Sequence, residues 1–159
     1  MTGDPVANRK GLDQFLRTYG VPRQAFKAMA YVATGLQRGD SQRAVAEALL
    51  AEGIGITFDW PLYGSASGRS YPDIAHDEVE GVRRADFLVV LLPGGRGTHV
   101  ELGAALALGK PVFLQAETEA ALYQDNMRCV FHEHRLVRQI VGPQTALLDA
   151  IRIWMESRP

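Results

Sequence analysis

The sequence is short of several things, and each shortage excludes a class of protein. Its single cysteine, Cys129, rules out an internal disulfide framework and suits a reducing compartment. Charge of one sign is missing too. Seventeen Lys and Arg against eighteen Asp and Glu leave a formal net charge of −1, which offers no basic footprint for nucleic acid. No apolar run approaches the ~18 residues of a membrane span. The N-terminus is polar, without the apolar core of a signal peptide. Repeats and low-complexity segments are absent. At 159 residues the chain is long enough to bury a core without disulfides or metals. These absences leave a cytoplasmic α/β protein with neither a nucleic-acid nor a membrane partner.

What is present is an alternation of apolar runs and helical patterns. Ala28-Met29-Ala30-Tyr31-Val32-Ala33 reads as strand one, opening into Thr34-Gly35-Leu36. Asp40 or Ser41 is placed to cap the next helix, whose apolar face is Val45, Ala46, Leu49 and Leu50, with Gly53 as its stop. Ile54-Gly55-Ile56-Thr57-Phe58 is strand two, ending at Asp59-Trp60-Pro61. The glycine-containing stretch from Leu62 to Ser70 has a length usual for loops beside ligands. Pro72 suits the first turn of helix two. Phe87 to Leu92 is strand three, six consecutive apolar residues, as in a strand covered on both faces. Lys110-Pro111-Val112-Phe113-Leu114-Gln115 is strand four, and Cys129-Val130-Phe131 is read as a short strand five. A last helix starts near Gln144. Before all of these, Leu12, Phe15, Leu16 and Tyr19 mark an N-terminal helical extension over 1–26, leaving 27–159 as the domain.

Such spacing implies βαβ units and a parallel sheet with right-handed crossovers. Five strands then take the order 2-1-3-4-5, with a switch point between strands one and three. Ligands bind such sheets at the carboxyl ends of the strands beside that point. Three segments converge there: Thr34-Gly35-Leu36, Asp59-Trp60 and the loop Pro93-Gly94-Gly95-Arg96-Gly97-Thr98-His99. Glycines in the loop let the backbone turn and let a ligand approach its N–H groups. Thr98 reads as the N-cap of helix three, whose start favours anionic groups.

The candidate acids are Glu101 and Glu78, and each has two readings. Thr98-His99-Val100-Glu101 fits a capping box; its place at the switch point also makes Glu101 a candidate nucleophile, ionised near neutral pH. Ile74, Glu78, Val82 and Ala85 form one stripe of helix two, with Val79 beside it. An acid there is either a border residue reaching water or a functional group, since an unpartnered buried carboxylate is costly. Two acids in unlike surroundings suit glycosyl transfer, one attacking the anomeric carbon and the other serving the leaving base. Tyr31 is a core aromatic or a hydroxyl beside Glu101; Trp60 packs or stacks on a base. Arg43 and Arg96 are phosphate candidates, and His99 faces ligand or solvent. His132 and His134 bracket Glu133 and read as loop residues, and Cys129 as a buried structural thiol. No metal and no cofactor are expected.

With these residues the chain resembles the nucleoside 2-deoxyribosyltransferase-like family. The resemblance runs from Tyr31 to about Leu114. It is carried by Tyr31-Val32-Ala33-Thr34-Gly35, by Thr57-Phe58-Asp59-Trp60, by the acid eight residues before Asp86, and by Gly97-Thr98-His99-Val100-Glu101-Leu102-Gly103 continuing through Val112. It implies a flavodoxin-like three-layer sandwich and cleavage of the N-glycosidic bond of nucleosides or nucleoside 5′-monophosphates. It matches Glu101 to the family's attacking glutamate and Tyr31 to the tyrosine beside it. Glu78 stands where the family usually has aspartate. Its acceptors are a second base or water, and its members form dimers or larger homo-oligomers. Gly95 stands where its monophosphate hydrolases carry a phosphate-binding serine. The loop also resembles that of the phosphoribohydrolases that release cytokinin bases, and a nucleotide-binding or sensor module without turnover is a further reading.

Overall fold

A computed structural model describes residues 26–59, 68, 70–124 and 126–158. The N-terminal helix expected over Leu12–Tyr19, Trp60 and most of the loop after it lie outside the described residues. Among the described residues four α-helices and a five-stranded parallel sheet form. The strands are β1 (Ala28–Thr34), β2 (Ile54–Ile56), β3 (Phe87–Leu91), β4 (Val112–Ala116) and β5 (Val137–Val141). The helices are α1 (Gly39–Ala51), α2 (Tyr71–Arg84), α3 (Arg96–Ala107) and α4 (Gln144–Glu156). Their spatial order is β2-β1-β3-β4-β5, every pair parallel. None of the described helices is long and apolar enough to cross a membrane.

The sheet is buried on both faces because its central strands are apolar at nearly every position, with Thr34 and Gln115 the buried exceptions. Period-two alternation divides them into two cores. Ala28, Ala30, Val32, Phe87, Val89 and Leu91 meet Val45, Ala46, Leu49, Leu147 and Ile151 of α1 and α4. Tyr31, Ala33, Leu88, Val90 and Leu92 meet Val82, Leu102 and Ala105 of α2 and α3. Trp154 closes the first core edge-on, with ring centroids 5.1 Å from Phe87 and 5.6 Å from Phe113. This alternation decides which face receives each functional side chain.

The ends of the helices depart from expectation in places. Asp40 and Ser41 lie inside α1, which begins at Gly39. Gly53 does follow its C-terminus with φ +79°, a conformation that side chains disfavour. Ser70 caps α2 by accepting from the Asp73 N–H at 3.3 Å, and Pro72 sits in the first turn. The fifth strand is the larger correction. Cys129-Val130-Phe131 is not a strand: Val130–Glu133 is a 3-10 turn, and the strand beside β4 is Val137–Val141. An edge strand covered on one side needs no continuous apolar run. Arg138 and Gln139 interrupt its pattern, and Val130 and Phe131 are exposed instead. Between β4 and that turn, Tyr123–Gln124 and Met127–Arg128 form a separate two-residue antiparallel pair.

Candidate active site

The chain leaves β1 toward α1 on one face and leaves β3 toward α3 on the other, which opens a crevice between the two strand ends. A cleft of about 590 Å³ occupies it, within the usual range for small-molecule sites. Thr34 to Arg38 line it from the β1 side, Pro93 to Thr98 and Glu101 from the β3 side, and Glu78 from α2. Thr34 is fixed by donating its hydroxyl to the Leu91 carbonyl at 2.9 Å, which ties the two strand ends together.

At the floor, the Tyr31 hydroxyl donates to Glu101 Oε1. Tyr31 is 0 % and Glu101 8 % exposed, so this is a buried pair. The alternation of β1 turns Tyr31 toward α2 and α3, and Glu101 stands on the first turns of α3 above it. Burial pushes the Glu101 carboxyl up to about 8; the Tyr31 hydrogen bond pulls the other way and the nearby Glu78 charge adds to the rise. The expectation of an ionised Glu101 near neutral pH is therefore overturned: desolvation outweighs its partner, and the free carboxyl is mostly protonated at pH 7. Tyr31 is held well above its ordinary value by burial first, then by the charge and hydrogen bond of Glu101, then by Glu78.

Glu78 is half-buried and raised by desolvation. Ile74, Gly81, Val82 and Ala85 on the same side of the segment are buried, whereas Val79 is half exposed. Glu78 therefore sits at the edge of the packed stripe, where it opens onto the cleft. Gly81 brings α2 close to the sheet: a Cβ there would lie 2.8 Å from Tyr31 Cε2 and 2.9 Å from Phe58 Cβ. The tyrosine ring thus fills space that a side chain on α2 would take. Gly81→Ala is expected to destabilise the fold by about 1–2 kcal/mol, because overpacking exceeds the ~1 kcal/mol gain in helix propensity. Urea unfolding checks this, and activity should fall with it as the Tyr31 ring is displaced.

The glycine loop works through space more than through unusual backbone angles. The only positive-φ glycines among the described residues are Gly53, Gly68, Gly109 and Gly142, none of them in this loop. A Cβ on Gly94 would come within 2.7 Å of Thr98 Cγ2, so the loop closes onto its own helix only with glycine there. Thr98 is not the N-cap. Gly95 takes that position, and Thr98, inside the first turn, accepts from the Gly95 N–H at 3.0 Å. The helix starts before the threonine, so Glu101 is no partner in a capping box; its carboxyl is left to Tyr31.

Of the other expected residues, Thr34, Gly35, Leu36, Gly95, Arg96, Gly97 and Thr98 line the cleft with Glu78 and Glu101. Asp59 is buried at the end of the segment after β2 and is not among the lining residues, and Trp60 is outside the described residues. Arg43 is turned to Asp40, 3.4 Å away on the surface of α1. Arg38 is a lining residue that sequence reasoning passed over. It donates to the Leu92 carbonyl and, at 3.1 Å, to Glu117, so it braces the loop after β3. Its signal was its place directly after strand one. His99 faces away from Glu101: its Nδ1 lies 2.9 Å from the Gly95 carbonyl and its ring stacks on His132 at 5.5 Å. Residues two apart on a helix point in nearly opposite directions, so Glu101 and His99 cannot share a ligand. Burial lowers the His132 imidazole below its ordinary value, helped by His99 and Arg128.

The family model described as nucleoside 2-deoxyribosyltransferase matches residues 30–141. No curated protein matches the sequence. Among solved structures, the CMP N-glycosidase BcmB of Clostridium botulinum is similar with a TM-score of 0.56 at 17 % identity, over 79 % of this chain and 98 % of that one. A conserved protein from Enterococcus faecalis V583 is similar with a TM-score of 0.55 at 19 % identity, over 80 % and 98 %. At such identity the two structures establish the shared α/β fold.

Proposed function

The chain belongs to the nucleoside 2-deoxyribosyltransferase family, and from that premise we propose that it cleaves the N-glycosidic bond of a nucleoside or nucleoside 5′-monophosphate. The observation that carries this reading is the buried Tyr31–Glu101 pair at the floor of the switch-point cleft, with Glu78 beside it. The similar CMP N-glycosidase fold supports it. Glu101 loses its proton to solvent, and its carboxylate attacks the anomeric carbon. A glycosyl ester forms as the N-glycosidic bond breaks, and the base leaves with the bonding pair. Glu78, whose carboxyl partial burial raises above its ordinary value, lines the cleft beside the leaving base and gives it a proton. Water or a second base then attacks the same carbon, giving its proton to the Glu78 carboxylate, and the ester bond returns its electrons to the Glu101 carboxylate.

Tyr31 holds the Glu101 carboxyl in one orientation and donates to it as charge develops. The first-turn N–H groups of α3, beside the cleft at Gly95 to Thr98, suit sugar hydroxyls or a 5′-phosphate. A second reading, nucleotide binding without turnover, draws support from the protonation of Glu101 at neutral pH. The two are separated by incubating the protein with nucleosides and 5′-monophosphates, with and without a second base, and resolving the products. Base release or exchange supports the enzyme; saturable binding with no base liberated supports the binding module. Glu78→Gln is expected to lower turnover by ~100-fold or more. The loss should be greatest for bases that leave poorly, which a leaving-group series checks.

A further inference from the structure

A second constellation lies on the other side of α3 from Glu101, built from residues far apart in sequence. Cys129 directly precedes the 3-10 turn Val130–Glu133 and His132 lies within it; the turn is closed by the His132 N–H donating to the Cys129 carbonyl at 3.0 Å. The turn so closed brings the thiol and the imidazole together. His99 approaches them from α3. One ring nitrogen of each histidine and the Cys129 Sγ all lie within 4.8 Å of one another.

Two further features set this group apart from chance proximity. His132 is 3 % exposed, yet neither of its ring nitrogens has a hydrogen-bond partner. A buried imidazole without partners loses the interactions it had in water, which is costly unless something else takes its lone pair. His99, in contrast, has its Nδ1 committed to the Gly95 carbonyl at 2.9 Å. With Nδ1–H donating there, Nε2 carries a free lone pair. A backbone carbonyl on the far nitrogen is the usual orienting partner of a metal-bound histidine.

We propose that His99, Cys129 and His132 bind a divalent ion of the zinc class, which fastens the start of α3 to the turn over Val130–Glu133. Two imidazoles and a thiolate form a borderline-soft donor set that suits zinc and not magnesium or calcium. Tetrahedral zinc needs donor-to-donor separations of roughly 3.3–3.7 Å. The side chains must therefore draw in by up to about 1.5 Å from the 4.8 Å limit that encloses them. Cys129 and His99 are only partly buried, so solvent can supply the fourth ligand. The adjacent Arg128 cation is balanced by Glu133 at 2.9 Å. The clip would hold the helix turn that carries Glu101 without entering the cleft, and it does not depend on the reaction proposed above.

Cobalt(II) titration of the full, metal-stripped protein tests it, because a thiolate bound to cobalt gives charge-transfer absorption in the near ultraviolet and tetrahedral cobalt gives intense visible bands. The expected result is one equivalent bound with both signatures, displaced by zinc. Cys129→Ser should remove the charge-transfer band, and His132→Ala should weaken cobalt binding by ~100-fold or more, beyond the effect of losing an orienting partner. Zinc should raise the thermal midpoint of the wild type and leave that of Cys129→Ser unmoved, a readout that remains usable if His132→Ala does not fold. Absence of charge-transfer absorption in the wild type, or zinc stabilisation retained in Cys129→Ser, would overturn the assignment.

Discussion

Glu101→Gln is expected to abolish base release and, at pH 8 and above, to make the protein more stable than the wild type. The loss of activity follows from removing the group proposed to form the glycosyl ester. A carboxamide is a poor nucleophile, and the rate should fall by several orders of magnitude. The gain in stability follows from proton linkage. The ordinary value of a glutamate is 4.5, and in the folded protein Glu101 is pushed up to about 8. Below 4.5 both folded and unfolded chains hold the proton, and nothing is lost. Between those values the folded chain keeps the proton and the unfolded chain gives it up, so stability falls by ~1.4 kcal/mol per pH unit. Above about 8 the loss is complete, on the order of 5 kcal/mol.

Glutamine cannot ionise and still accepts from the Tyr31 hydroxyl. The variant should therefore match the wild type near pH 4.5 and exceed it in thermal midpoint by on the order of 10 °C at pH 8 to 9. Thermal unfolding across that range measures both ends. A site that stores such a cost in one carboxyl is more easily understood as functional than as structural, because a neutral residue would serve packing better.

Tyr31→Phe should lower kcat/KM by roughly 10–100-fold at neutral pH, the worth of one hydrogen bond to a charged group. Its more telling effect is on pH dependence. In the wild type kcat/KM should climb with pH toward a limit near 8, as the Glu101 carboxyl ionises. The Tyr31 hydrogen bond lowers that value, so its loss should move the rising limb to higher pH, and alkaline conditions should restore part of the activity. A uniform loss with an unmoved pH profile would mean that Tyr31 acts only as a core aromatic.

Much of this was legible in the chain because parallel sheets write themselves plainly. Continuous apolar runs such as Phe87–Leu92 have no reading but a doubly covered strand, and the alternation with helices fixed the switch point between β1 and β3. What misled was local chemistry with two physical solutions. Thr98 could cap a helix or reach back from within its first turn; only the backbone path decides, and the helix began earlier. Cys129-Val130-Phe131 and Val137–Val141 were both short enough for an edge strand, and apolar continuity favoured the one that forms a 3-10 turn. The ionisation of Glu101 depends on how completely α2, α3 and the sheet exclude water, which no spacing of residues states. His99, Cys129 and His132 met through tertiary folding alone, with His99 and Cys129 thirty positions apart.

The proposed glycosyl ester on Glu101 is tested most directly by intact-protein mass measurement after acid quenching of turnover, at pH 8, across the nucleoside and 5′-monophosphate panel. With a substrate that releases its base, the account predicts a population heavier by the mass of the bound sugar moiety, with the added mass on the peptide that contains Glu101 and absent from Glu101→Gln. Base release by a protein that stays at its unmodified mass at every quench time, or an adduct on another residue, would contradict it.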